Sequence, residues 1–131
     1  IMLDTHTLLW WANGDRAKLS PPATEAIAVE YRDGVMLVSA ITAWEIAHLV
    51  DRGRIALASD LSAWLAILEA IPTVAFVAVD TEIGVKSAEL PGVFHKDPAD
   101  RIIVATARKY GVPIVTADEK IRGYPHVATI W

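Results

Sequence analysis

The chain contains no cysteine. That removes disulfides, thiolate metal sites and a cysteine nucleophile, and it suits a reducing compartment, so cytoplasm is the expected location. Long apolar runs are missing as well: the longest uncharged stretch, Gly34 to Trp44, is interrupted by Ser and Thr and is too short to cross a bilayer. Nothing at the start reads as a signal peptide, and because the chain opens on Ile1 rather than Met, one or more preceding residues are expected. Excess positive charge is absent too. Twelve Lys and Arg against sixteen Asp and Glu leave a net charge of −4, the wrong sign for gripping nucleic acid through a general basic surface. The objection weakens if some of the acids are metal ligands, because divalent cations would cancel part of the excess.

What is present is apolar. A hydrophobic fraction of 53% over 131 residues is the size of one compact domain with a substantial core, and a single globular unit over residues 1–131 is expected. Ile1 to Leu3, Val35 to Val38, Val74 to Val79, Ile114 to Val115 and Val127 to Ile130 have strand character. Between them lie helix patterns at Thr5 to Ala12, Pro21 to Tyr31 after a Ser20 cap, Thr42 to Arg52 before Gly53, and Ser62 to Ile71 before Pro72. Asp80 opens Thr81 to Glu89, and Asp97 with Pro98 opens a helix to Tyr110 before Gly111. Strands alternating with helices predict an α/β fold, a three-layer α/β/α sandwich on a mostly parallel sheet. In such sheets the working crevice lies beyond the carboxyl ends of the strands.

Asp4 directly follows the first strand, and Asp118 lies two residues beyond Thr116 at the end of the Ile114 strand. Glu45 falls one turn into the helix after Val35 to Val38, and Asp100 in the first turn of the helix opened by Pro98. Four carboxylates from the whole length of the chain would then meet at one sheet edge. Gathered acids repel and raise one another's pKa unless a cation is present. Oxygen donors without His or Cys suit Mg²⁺ or Mn²⁺, and carboxylate-held Mg²⁺ points to phosphoryl chemistry. Each acid also has a structural reading. Asp4 and Asp97 can cap helices, Glu45 completes a capping-box pattern with Thr42, Asp100 suits a helix dipole, and Asp118 can open a short Glu119 to Arg122 helix.

The segments LDTHTLLWW, SAITAWEIAHLVDRGRI and HKDPADRIIVATARKYGVPIVTADEKI, followed by the closing strand, resemble PIN-domain proteins of the VapC-like toxin type over nearly the whole chain. The resemblance implies a Mg²⁺- or Mn²⁺-dependent endoribonuclease, often dimeric and inhibited by a small antitoxin protein, leaving 5′-phosphate and 3′-hydroxyl ends. It places the family's acidic positions on Asp4, Glu45, Asp100 and Asp118, with the Thr116 hydroxyl beside them. It assigns no role to His6, His95 or Asp97.

Lys96 and Arg101 flank Asp100, and Lys120 follows Asp118, so these three cations are expected to grip RNA phosphates at the rim of the cavity. Arg52, Arg54, Arg108 and Lys109 suit helix C-termini, and His48 and His126 have no ligand spacing. Adjacent Trp10 and Trp11 cannot both face one core from a short helix. With the apolar helix Ser62 to Ile71 they form the expected dimer or antitoxin surface. A haloacid-dehalogenase motif fails because His6 stands where a second Asp is needed, and a receiver fold leaves Glu45 unexplained. A binding module with a spent site is the second reading and a DNA-directed nuclease the third.

Overall fold

The computed structural model describes residues 1–131. Five parallel strands form one sheet: β1 (Met2–Leu3), β2 (Met36–Ser39), β3 (Val74–Val77), β4 (Ile114–Val115) and β5 (Thr129–Ile130). The strand order is β3-β2-β1-β4-β5. The chain therefore leaves β1 in one direction, through β2 and β3, and then returns to build β4 and β5 on its other side. That reversal opens a crevice between the carboxyl ends of β1 and β4, where ligands bind in sheets of this kind. Asp4 and Thr116 are the first residues past those two strand ends.

Seven α-helices cover the sheet: α1 (Thr5–Ala12), α2 (Pro21–Asp33), α3 (Ala40–Asp51), α4 (Leu61–Glu69), α5 (Thr81–Ala88), α6 (Pro98–Tyr110) and α7 (Glu119–Arg122). Side chains alternate across a pleated strand, and the two cores divide accordingly. Leu3, Met36, Val38 and Val115 pack with Leu8, Ile27, Ile46, Trp64 and Leu68 on one face. Met2 and Ile114 pack with Ile83, Ile103, Val104 and Ile121 on the other. The three-layer sandwich expected from the sequence is thus present, and α6 buries a full side of its surface as the main helix of the second face.

Element boundaries shift where a better cap lies close by. Ser39, not Thr42, caps α3 and accepts from the Ile41 amide, so Thr42 lies inside the helix and the Thr42–Glu45 capping box does not form. Asp60 accepts from the Ala63 amide and starts α4 at Leu61, and the helix closes at Glu69 rather than Ile71. β3 stops at Val77 because its partner β2 ends at Ser39, leaving Val79 exposed. A 3₁₀ turn at Arg16–Lys18 has no counterpart in the sequence reading. Gly111 ends α6 with φ of 64°, a left-handed conformation that costs other residues about 1–2 kcal/mol. No helix is long and apolar enough to cross a membrane.

Candidate active site

Asp4 caps α1 at the mouth of the β1/β4 crevice. One carboxylate oxygen accepts from the Thr7 amide at 2.7 Å, and the other accepts from the Thr116 hydroxyl. Thr116 in turn accepts from the Asp118 amide at 3.0 Å, and Asp118 caps α7 by accepting from the Lys120 and Ile121 amides. The ends of β1 and β4 are thereby tied together through side chains of the site itself. Glu45 is held by a second hydroxyl chain: Thr5 Oγ1 donates to its Oε1 at 2.5 Å. A hydroxyl has one proton, so in the 3.1 Å contact between Thr5 and the fully buried Thr42 it is Thr42 that donates. Asp97 caps α6 through the Ala99 and Asp100 amides, which sets Asp100 in the first helical turn.

These pieces surround one cleft of about 370 Å³. Asp4, Glu45, Asp97, Asp100 and Asp118 line it together with Thr5, His6, Trp10, Ile103 and Ala117. Burial pushes the Asp4 carboxyl above its ordinary range, against the lowering effect of its bonds to Thr116 and Thr7. Burial likewise raises Glu45, with Asp97 and Asp4 adding repulsion and the Thr5 bond opposing it. Asp100 is raised to about 7, first by desolvation and then by Asp97, Asp118, Glu45 and Asp4. His95 stands beside it, with Nε2 3.0 Å from Asp100 Oδ2. Its Nδ1 accepts from the Asp97 amide at 3.3 Å, which puts the ring proton on Nε2. That proton is enclosed but off the line to Asp100, making the contact chiefly electrostatic rather than a well-aligned hydrogen bond.

The family model for the PIN domain matches residues 1–127. The chain belongs to the PIN-domain family. It is 36% identical over 134 aligned residues to Ribonuclease VapC22 of Mycobacterium tuberculosis, covering all of this chain and 98% of that protein. Several solved structures share the fold. VapBC2 from Rickettsia felis, bound to a DNA fragment from its promoter, superposes with a TM-score of 0.69 at 15% identity, covering 98% of this chain and 95% of that one. FitAcB from Neisseria gonorrhoeae superposes with a TM-score of 0.65 at 19% identity, covering 98% and 94%.

PIN-domain nucleases imply a divalent metal, and the donors here fit one. Every candidate is a carboxylate or hydroxyl oxygen, the donor type of a hard divalent cation. His95 is excluded as a ligand while its Nδ1 accepts from Asp97, because its other nitrogen then carries the proton. Burial raises Asp4, Glu45 and Asp100, with neighbouring acids adding to it at Glu45 and Asp100, and a bound cation would lower all three. They line the cleft apart from one another, and no three of them form a coordination shell as they stand.

One cation expected at the rim of the cavity lies elsewhere. Arg101 does not lean over the cleft to meet phosphate. Its Nε donates to the Ser87 carbonyl at 2.8 Å, Nη2 to Ala88 at 3.2 Å, and Nη1 to Phe94 at 3.0 Å and His95 at 3.2 Å. Ser87 and Ala88 close α5, whose last carbonyls have no partner within the helix, so Arg101 ties that helix end to the loop bearing His95 and Asp97. A guanidinium fork can span these acceptors and an ammonium cannot. Arg101→Lys is therefore expected to lower stability by about 2–3 kcal/mol, the scale of lost charge-assisted hydrogen bonds. Urea denaturation measures it, and an unchanged midpoint would remove the clamp. Lys96 and Lys120 remain exposed and form no ion pair.

The sequence reading also missed Thr5, Thr42 and Trp10 as site residues. Thr5 was legible as the neighbour of Asp4. Thr42 was concealed by its resemblance to a helix cap. Trp10 and Trp11 diverge as adjacent helical residues must, Trp10 into the acidic cleft and Trp11 into an apolar groove on the other side of α1.

Proposed function

We propose that this chain is a Mg²⁺- or Mn²⁺-dependent endoribonuclease, the toxin of a toxin–antitoxin pair, acting in the cytoplasm as a single nuclease domain. The observation that carries this reading is the meeting of Asp4, Glu45, Asp100 and Asp118, from four distant segments, on one cleft of a PIN fold. The chain's 36% identity to a ribonuclease along its full length favours RNA as the substrate. Asp4, Glu45 and Asp100 would hold the metal, with Asp118 and Thr116 ligating directly or through water. Bound there, the cation supplies charge neutralisation at the phosphodiester and a water activated for in-line attack, leaving 5′-phosphate and 3′-hydroxyl ends.

The chain's own residues prepare that cleft. Thr116 fixes one oxygen of Asp4, and the Thr42–Thr5 relay fixes one oxygen of Glu45, so neither acid spends rotational freedom when it binds. Lys96 and Lys120, each within two residues of a cleft-lining acid, are left to meet RNA phosphates. Antitoxin binding and self-association are assigned to the apolar face. A groove of about 430 Å³ between α1, α2 and α4 is lined by Trp11, Leu19, Ile27, Tyr31 and Ile71, with Ile67 63% exposed on its rim. Solved structures with this fold include a toxin–antitoxin complex from Klebsiella pneumoniae.

Purified protein is expected to cut RNA with Mg²⁺ or Mn²⁺ and to stop in chelator, and the products should accept a ligase that requires 5′-phosphate. Co-expression with a small protein encoded beside it should suppress the cleavage. Absence of cleavage with either metal would favour the spent binding module instead.

A further inference from the structure

The acidic cleft has one wall that the metal chemistry leaves unused. Trp10 lines it, yet Trp10 packs in neither hydrophobic core. Trp10 is half-buried, with an apolar ring and an N–H at a wet, polar cleft, an arrangement that suits a binding surface. His6 lies one helical turn before it on the same face of α1, with ring centroids 5.8 Å apart and planes at 49°. Trp131, just past β5, also meets Trp10, with ring centroids 6.0 Å apart and planes at 51°. Trp10 thus contacts both rings, and it shares with His6 the helix that Asp4 caps.

We propose that Trp10, flanked by His6 and Trp131, is a stacking shelf for an unpaired nucleobase next to the phosphate held at the acids. The proposal rests on the ribonuclease reading and adds to it one residue that meets a base, in RNA whose bases are free to leave a stack. Charge supports the need for such a contact. With a net charge of −4, and with Arg101 committed to carbonyls, phosphate contacts near the acids are left to Lys96 and Lys120, and base stacking is a second, sequence-tolerant source of RNA affinity. A duplex keeps its bases inside and cannot use the shelf.

A nucleoside 5′-monophosphate carries base and phosphate with no phosphodiester to cut, and ribose 5-phosphate is the same probe without the base. In Mn²⁺, the parent should bind AMP roughly tenfold more tightly than ribose 5-phosphate, the low end of what one stacked base contributes. Trp10→Phe should keep most of that preference. Trp10→Ala should bring the ratio close to one while leaving ribose 5-phosphate affinity unchanged, which also shows that the fold and the acids are intact. Equal affinity of the parent for the two probes, or a preference that survives Trp10→Ala, would overturn the shelf. RNA cleavage by the parent is scored separately: a parent that cuts RNA without a base preference refutes the shelf alone, and a parent that never cuts refutes the ribonuclease reading.

Discussion

Asp100→Asn is expected to make the metal-free protein more stable at pH 8 and at the same time unable to cut RNA. The native carboxyl titrates at about 7 against an ordinary value of 3.8, so between those values the folded state holds a proton that the unfolded state has released. Stability of the parent in chelator must then fall as pH rises through that window, and below pH 4 the acid contributes equally to both states. Asparagine carries no charge to desolvate, and its oxygen can still face the His95 Nε2 proton. The two proteins should therefore have similar stability near pH 4 and separate by on the order of a few kcal/mol by pH 8. Loss of the favourable interaction between a first-turn carboxylate and the α6 dipole opposes this by about 0.3–1 kcal/mol, too little to reverse it. Burial raises Glu45 and Asp4 in the same direction, so the variant keeps a shallower slope of the same sign. Thermal melts across pH in chelator measure the separation. Parallel curves for parent and variant would show that Asp100 is not a strained charge.

The sheet and the acids were legible in the sequence for a common reason. β-branched runs ending in a polar residue mark both a strand and the carboxyl edge where a site sits, so Asp4 and Asp118 were found by the same signal that found β1 and β4. Glu45 was harder, because Thr42 three residues earlier imitates a helix cap; only the true cap at Ser39 frees Thr42 to join Thr5 behind the carboxylate. Arg101 shows where local reading stops. Its position beside Asp100 says nothing of the direction in which a long side chain leaves a helix, and that direction is set by α5 and the loop at Phe94, which are distant neighbours in sequence. Trp10 was legible as surplus to the core, but the cleft it lines is assembled from several separated segments.

Asp4→Asn carries the largest expected effect on activity, because Asp4 is 7% exposed, central to the sheet and shared between two hydrogen-bond chains. Asparagine is as good a helix cap as aspartate, so its oxygen can keep the Thr7 amide. Its amide group then faces Thr116 Oγ1, which can turn to accept but loses the acceptor for its own proton. That loss costs about 1–3 kcal/mol, and relief from burying a charge offsets it, so in chelator the melting temperatures should stay close. Metal separates the two proteins. A ligand that binds the folded state alone at a hundred times its dissociation constant adds about 2.7 kcal/mol, and the variant, short of one charged ligand, should gain far less in millimolar Mn²⁺. RNA cleavage should fall to background if, as proposed above, the chemistry depends on a cation that Asp4 helps to hold. An Asp4 that only capped α1 would give the opposite pattern: the same Mn²⁺-dependent shift in both proteins, and an Asp4→Asn variant that still cuts RNA.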